Sequence, residues 1–408
     1  MIGFVCAPSA PGRDGRLGRP LGMTAQNDVD GVGGAVRSLR RGPAVNPAAM
    51  VGAMSETSTV TEPIVPIFET QPERADLPLV VLPSVIDGLI EPIKANVARL
   101  RDVARVRVFE EFTADEDAIA ARCEGADAMF VGGFHISDAL LGRLYGAGVR
   151  CIVFCGTGVA SYVDLDKAGE LGVRVCNAQH YGDAAVAEHT FALLFELVRR
   201  TGALDAGIKA GHWAGADGIQ LNGKRLAIIG LGGIGVTVAR IAAAFGMRVS
   251  AWSNHVPAAM FESCGATPVD DLDELIAGAD VVSVHMPLMD ATRGIITAGN
   301  LAHLRPGTLF INTARAEVIE PGALLARLQR GDVPAALDVF DHEPIGGDDP
   351  LCSVPGIVLT PHVAWRTDAA FADLGRQMTD SMLAYFRGQD HNVIVSEADA
   401  LGHNRFAA

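Results

Sequence analysis

Leu226-Ala-Ile-Ile-Gly230-Leu-Gly232-Gly233-Ile234-Gly235 is a short apolar run that breaks into glycines spaced G-x-G-x-x-G. The following stretch, Val236-Thr-Val-Ala-Arg-Ile-Ala-Ala-Ala-Phe245, reads as a helix, and Met247-Arg-Val-Ser-Ala-Trp252 as a second strand. Strand, glycine turn and helix N-terminus are the parts of a dinucleotide pyrophosphate site. Gly230 permits the tight turn, Gly232 lets backbone approach phosphate, and Gly235 lets the helix pack on the strand. The helix start supplies free N–H groups and a positive dipole end. A purely structural glycine turn is the competing reading; the closing strand favours the nucleotide site.

Outward from this unit, the chain alternates strands and helices. Leu79–Leu82, Val106–Phe109, Ala128–Val131, Cys151–Phe154 and Val173–Cys176 read as strands, with helices over 89–104 and 114–123 between the earlier ones. Such alternation predicts parallel sheets covered on both faces, an α/β doubly wound architecture. Residues 184–202 predict one long helix, apolar enough to be buried between domains or subunits. The series that opens at Leu226 runs to about 362. A last helix over 368–388 is expected to return to the first domain. Residues 1–75 are rich in Gly, Ala, Pro, Arg and Ser without a sustained period; residues 1–54 hold six Arg and three Asp but no Lys or Glu. Disorder is the expectation there. A transit peptide, or a true start at Met50 or Met54, would fit the same composition.

The 408 residues carry a net charge of −15 and no basic block, which disfavours nucleic acid and anionic membranes as partners. An anionic substrate must therefore be drawn in by local cations. No apolar window approaches the ~18 residues of a membrane span. Seven cysteines at irregular spacing, none in C-x-x-C, argue against a zinc site or a disulfide framework and suit a reducing cytoplasm. No metal is expected.

Three polar residues each follow a short apolar run: Arg315 after Phe310-Ile-Asn-Thr-Ala, Glu343 within Leu337-Asp-Val-Phe-Asp-His-Glu-Pro344, and His362 after Ile357-Val-Leu-Thr-Pro. In a parallel sheet that position is the carboxyl rim, where ligands bind. Arg315 has the fork to grip a carboxylate and polarise the adjacent carbonyl. His362 has the chemistry to deliver a proton to a carbonyl oxygen as hydride reaches the carbon. Glu343 would orient the imidazole. Taken singly, each has a plainer reading: an ion-paired Arg, a solvated Glu, a packing His. Only the set downstream of the glycine turn points to a site.

These stretches resemble the D-isomer-specific 2-hydroxyacid dehydrogenase family. The similarity runs through Gly223-Lys224, GLGGIG at 230–235, Phe245–Val249, Val284-His-Met-Pro-Leu288, Thr292–Ile295, INTAR at 311–315, LDVFDHEP at 337–344 and LTPHVAW at 359–365. Upstream, Gly156-Thr-Gly158, Val163–Asp166 and Val186–His189 also fit, so about 78–390 is covered. The resemblance implies a flavodoxin-like substrate domain, 78–180 plus 366–395, and a Rossmann domain, 181–365, binding NAD(H) or NADP(H). It implies catalytic roles for Arg315, Glu343 and His362, and a substrate-carboxylate loop at Gly156, Thr157 and Gly158. Asp338 is implied to face the nicotinamide carboxamide. His285, Pro287 and Thr313 are implied to line the cofactor cleft with Gly230, Gly232, Gly233, Ile234 and Gly235. It further implies a homodimer joined through the cofactor domains. Glu188 and His189 read as helix-capping or interface groups.

Two departures stand out. Ala316 follows Arg315 where the family often has Gly. Eighteen residues past Gly235, where an acidic residue would accept ribose hydroxyls, stand Ser253 and Asn254, with His255 next. An acidic residue there would repel a 2′-phosphate; without one, and without a neighbouring Arg, the choice between NAD and NADP stays open. The expected activity is reversible reduction of a small 2-keto acid to a D-2-hydroxy acid, of glyoxylate or hydroxypyruvate reductase type. An NAD-sensing corepressor on the same fold and a formate dehydrogenase are the alternatives. The latter resembles this chain but has Gln where Glu343 stands. Phosphorylated substrates would want extra cations, and Phe130–Ser137 offers only His135.

Overall fold

The computed structural model describes residue 65, residues 67–253 and residues 256–396. In chain order the strands are β1 (Ile67–Glu69), β2 (Leu79–Leu82), β3 (Arg105–Phe109), β4 (Ala128–Val131), β5 (Cys151–Phe154), β6 (Arg174–Cys176), β7 (Arg225–Ile229), β8 (Arg248–Trp252), β9 (Thr267–Pro268), β10 (Val281–Val284), β11 (Leu309–Asn312), β12 (Ala335–Leu337), β13 (Ile357–Leu359) and β14 (Val393–Val395). They form two seven-stranded sheets, ordered β1-β3-β2-β4-β5-β6-β14 and β13-β12-β11-β10-β7-β8-β9. Every pairing in the second sheet is parallel. In the first, β2 to β6 are parallel, and the edge strands β1 and β14 run antiparallel to β3 and β6. This is the doubly wound α/β class predicted above.

Strand periodicity explains the layering. Leu79 and Val81 enter one apolar cluster, and Val80 and Leu82 the cluster on the other face. Leu226 and Ile228 likewise separate from Ala227 and Ile229. Sheets buried on both faces need apolar residues at every position, so these strands read as unbroken hydrophobic runs rather than alternations. The helix Asp368–Phe386 sends Leu374, Met378, Met382 and Tyr385 into the cluster that holds Val80 and Leu82, and β14 follows it onto the edge of the first sheet. Among the described residues, no helix is long and apolar enough to cross a membrane.

Several sequence expectations are corrected. Most of the stretch expected to be disordered, 1–75, lies outside the described residues, but its end contains β1, registered as Ile67 opposite Phe109. An edge strand needs pairing on one side only, so three residues suffice, and the neighbouring prolines hid it. The helix expected over 89–104 is Asp87–Val97, closed by a 3-10 turn at Ala98–Leu100. The long helix ends at Arg199; Arg200 takes left-handed φ of 50°, and a separate helix, Thr201–Lys209, begins. The Glu196 carboxylate accepts from the Thr201 hydroxyl and the Gly202 N–H, which satisfies the start of that second helix. The buried side of Asp183–Arg199 faces the second sheet, where Ala187, Phe191 and Leu194 join Ile228 and Ile311.

Candidate active site

In the second sheet the chain steps from β7 to β8 to β9 in one direction, then crosses back to β10 and continues the other way. The reversal leaves a crevice at the carboxyl ends of β7 and β10, the place where open α/β sheets bind ligands. Because the strands are parallel, Gly230, His285, Thr313, Asp338 and His362 all emerge on one rim.

The glycine turn is built as its spacing requires. Gly230 has φ of 99°, and a Cβ there would stand 2.7 Å from the His285 carbonyl oxygen. A Cβ on Gly235 would collide with the Gly230 carbonyl. Gly232 caps the helix Gly233–Ala244 without any side-chain cap, and the space over its Cα is open. Uncapped N–H groups at a positive helix end, with room above them, fit a pyrophosphate. The Asp183 carboxylate lies against Gly233 and is paired with the His180 ring at 2.9 Å. Ile234 is half-buried at the same helix start, and Ser253 directly follows β8. Asn254 and His255 lie outside the described residues.

The remaining cofactor-side residues differ in exposure. Pro287 is exposed, and its carbonyl accepts from the Thr292 hydroxyl. Thr313 is buried, 3.1 Å from the Thr190 hydroxyl on the long helix. His285 is buried, with Nε2 2.8 Å from the Ser283 hydroxyl and Nδ1 without a partner among the described residues. Burial lowers its pKa to about 3. In the unfolded chain the imidazole takes a proton near 6.5, so between those values the unfolded state binds more protons and stability falls as pH falls. Lowering the pH from about 7 to about 4.5 should therefore cost roughly 2–3 kcal/mol through this residue. Urea denaturation of His285→Gln, compared with the parent at both pH values, checks it; equal losses would absolve His285.

His362 and Glu343 meet. His362 Nδ1 lies 2.7 Å from one Glu343 carboxylate oxygen, and the other oxygen accepts from the Phe340 N–H at 3.0 Å. Burial pushes the Glu343 pKa up, but the hydrogen bond and charge of His362 outweigh it, and the carboxyl is held below its ordinary value. An ionised Glu343 fixes the Nδ1–H tautomer. Nε2 has no protein partner among the described residues. The turn carrying His362, whose φ is 52°, is clamped by Asp338. The His362 N–H donates to the Asp338 carbonyl. The fully buried Asp338 carboxylate accepts from the Thr360 hydroxyl (2.6 Å) and from the Val363 and Ala364 N–H groups.

Arg315 comes from the turn after β11. Asn312 pins that turn: its side-chain oxygen accepts from the Ala314 N–H, and its amide donates to the Arg315 carbonyl, both at 2.9 Å. The half-buried guanidinium donates to the Ala314 carbonyl and forms no ion pair among the described residues. Its Nη2 would stand 2.8 Å from a Cβ on Gly158, so Arg315 packs against the Gly156–Gly158 loop that leaves β5. That loop is tied down by Thr157, whose hydroxyl donates to the Ala178 carbonyl, and by Asn177, whose amide donates to the Thr157 carbonyl. The carboxyl rims of the two sheets therefore face each other across Arg315.

Sequence reading missed Asn312, Thr360 and the position of His189. An Asn at a strand end that bonds the N–H two residues on is an Asx turn, a signal present in INTAR. His189 lies in the middle of its helix, so it caps nothing; its Nε2 is 3.1 Å from the Thr360 hydroxyl and 3.6 Å from Asp338. Glu188 is exposed on the same helix.

The fold and the crevice define a two-domain α/β protein with a dinucleotide-binding sheet. Residues 191–364 match the family described as D-isomer specific 2-hydroxyacid dehydrogenase, NAD binding domain. The hydroxypyruvate reductase of Blautia hydrogenotrophica is 33% identical over 256 residues, 60% of this chain and 78% of that protein. The D-3-phosphoglycerate dehydrogenase of Methanocaldococcus jannaschii is 32% identical over 294 residues, 71% of this chain but only 55% of the longer relative. The apo-structure of D-lactate dehydrogenase from Escherichia coli superposes with a TM-score of 0.68 at 26% identity, covering 78% of this chain and 100% of that one. The chain belongs to the D-isomer-specific 2-hydroxyacid dehydrogenase family.

Proposed function

We propose that the protein interconverts a small 2-keto acid and a D-2-hydroxy acid, using NAD(H) or NADP(H), with 181–365 as the cofactor domain and 78–180 plus 366–395 as the substrate domain. The carrying observation is the His362–Glu343 pair at 2.7 Å on the rim that also presents Arg315, which forms no ion pair among the described residues. Gly230, Gly232, Gly233, Ile234, Gly235 and Ser253 would hold the dinucleotide, with His285, Pro287, Thr313 and Asp338 along its cleft. When bound, the reduced nicotinamide supplies hydride. Arg315 and the Gly156–Gly158 backbone would hold the substrate carboxylate. His362 would donate the Nε2 proton to the carbonyl oxygen, with Glu343 stabilising the charged ring and fixing its orientation.

The substrate is of glyoxylate or hydroxypyruvate type rather than phosphorylated. His135, the basic residue beside β4, is stacked on Tyr162 at 4.4 Å, and the Glu317 carboxylate acts on the same ring. Arg315, the guanidinium acting on that ring, would be taken by the substrate carboxylate, which leaves a phosphate to face Glu343 and Glu317. A panel of glyoxylate, hydroxypyruvate, pyruvate and 3-phosphohydroxypyruvate, with NADH and NADPH in turn, tests both choices by loss of reduced-cofactor absorbance. No consumption with any acid would sink the reading. The buried thiols of Cys123, Cys151, Cys155, Cys176 and Cys264 suit a cytoplasmic setting.

The active form would be a homodimer. Ile208, Trp213 and Ile219 are exposed along the stretch that follows the long helix, Trp213 at 95%. Large apolar side chains left bare along one stretch of chain are the kind of surface an interface covers. Trp213→Arg should convert a dimer into monomers in sedimentation velocity at micromolar concentration; an unchanged dimer would place the interface elsewhere.

A further inference from the structure

Tyr162 follows the 3-10 turn Val159–Ser161, which leaves the Gly156–Gly158 loop. Its backbone is fixed: the N–H donates to the Val159 carbonyl, and its carbonyl accepts from Ile136. Its ring is held too. The His135 ring stacks on it at 4.4 Å with planes 14° apart, and the Phe154 ring lies 4.6 Å away. Phe154 is the last residue of β5, so the ring is anchored to the first sheet.

The phenol oxygen has no hydrogen-bond partner among the described residues. Burial raises the Tyr162 pKa, the charge of Arg315 opposes this, and the carboxylates of Glu343 and Glu317 reinforce it. The hydroxyl therefore keeps its proton and is a donor. Arg315, itself without an ion pair among the described residues, packs on Gly158, four residues before Tyr162. Tyr162 is half-buried, so its unbonded hydroxyl has a hydrogen bond to offer a ligand, and an ionised carboxylate has about four lone-pair sites, more than one guanidinium fills.

We infer that the Tyr162 hydroxyl is a second side-chain donor, beside Arg315, to the carboxylate of the bound acid, and that its locked ring is the wall limiting the acid's substituent. This rests on the functional reading above. Arg315 supplies charge; Tyr162 supplies direction, because its ring cannot turn without unstacking from His135 and Phe154. A site built this way discriminates by size against bulky 2-keto acids and holds small ones.

Tyr162→Phe keeps the ring and removes one oxygen. KM for glyoxylate, pyruvate and hydroxypyruvate should rise together, by about tenfold to a hundredfold, with kcat within about threefold of the parent. Oxamate, a non-reducible analogue, should bind the protein–NADH complex more weakly by a similar factor in calorimetry, while NADH affinity holds. Tyr162→Ala should raise kcat/KM for phenylpyruvate relative to glyoxylate by about tenfold or more. A Tyr162→Phe variant with KM and oxamate affinity within about twofold of the parent overturns the inference. So does a KM rise confined to hydroxypyruvate, which would put the hydroxyl on the third carbon's substituent. A parent protein that neither consumes NADH or NADPH with these acids nor binds oxamate refutes the functional reading, and the inference with it.

Discussion

Replacing His362 with alanine is expected to lower turnover of a 2-keto acid by about 10²–10⁴-fold while reduced cofactor still binds. The imidazole is poised for one task. Glu343 holds Nδ1 at 2.7 Å, and Nε2 is the nitrogen left for a substrate oxygen. Hydride transfer to a carbonyl carbon leaves an alkoxide unless a proton arrives, and neutral water is a far weaker acid than an imidazolium. The glycine turn lies on other strands of the sheet, so NADH affinity by calorimetry should hold. His362 occupies a left-handed backbone position, φ 52°, where a change of residue adds strain of its own. His362→Asn serves as the control, because Asn tolerates that backbone. Both variants should lose turnover and keep cofactor. Undiminished reduction in either removes His362 from the chemistry.

Arg315→Ala should lower kcat/KM by about 10²–10⁴-fold, since two charge-assisted hydrogen bonds of roughly 1.5–3 kcal/mol each are lost. The guanidinium forms no ion pair among the described residues, so its removal strands no carboxylate partner, and the denaturation midpoint should barely move. That contrast separates a ligand-binding Arg from a structural one. Arg315→Lys should recover only part of the loss, because an ammonium is a point charge without the planar fork. Steady-state kinetics beside urea denaturation decide it: a large stability loss with kcat/KM unchanged would make Arg315 a fold residue. In a chain with net charge −15, such a local cation must do the attracting that the overall field opposes.

Much of this architecture was legible as sequence because its signals are local. The strands at 79–82, 128–131 and 151–154 have the bounds their apolar runs suggested, since a strand buried on both faces writes itself as continuous hydrophobicity. The glycine turn was legible for a similar reason: φ of 99° at Gly230 and the tight packing at Gly235 leave no room for another residue type. The edge strands β1 and β14 were not legible. Three residues pairing antiparallel on one side carry no periodicity, and their partners lie about 40 residues away in one case and over 200 in the other. The helix break at Arg200 escaped for a different reason, because the apolar pattern runs through it and a non-glycine residue supplies the left-handed turn.

At the site the division falls between residue type and residue partner. The amino-acid sequence by itself determined which groups stand at the strand ends, since an apolar run followed by a polar residue in a parallel sheet delivers that residue to the carboxyl rim. Only the tertiary structure decided what each group touches: Arg315 lies against Gly158, Asp338 faces inward to clamp the His362 turn, and His189 leans on Thr360 rather than capping a helix. The reason is physical. Hydrophobic period and backbone conformation are properties of neighbours along the chain, whereas the pairing of buried charges is settled when elements from two sheets close on one another and each polar group takes the partner that packing leaves within reach.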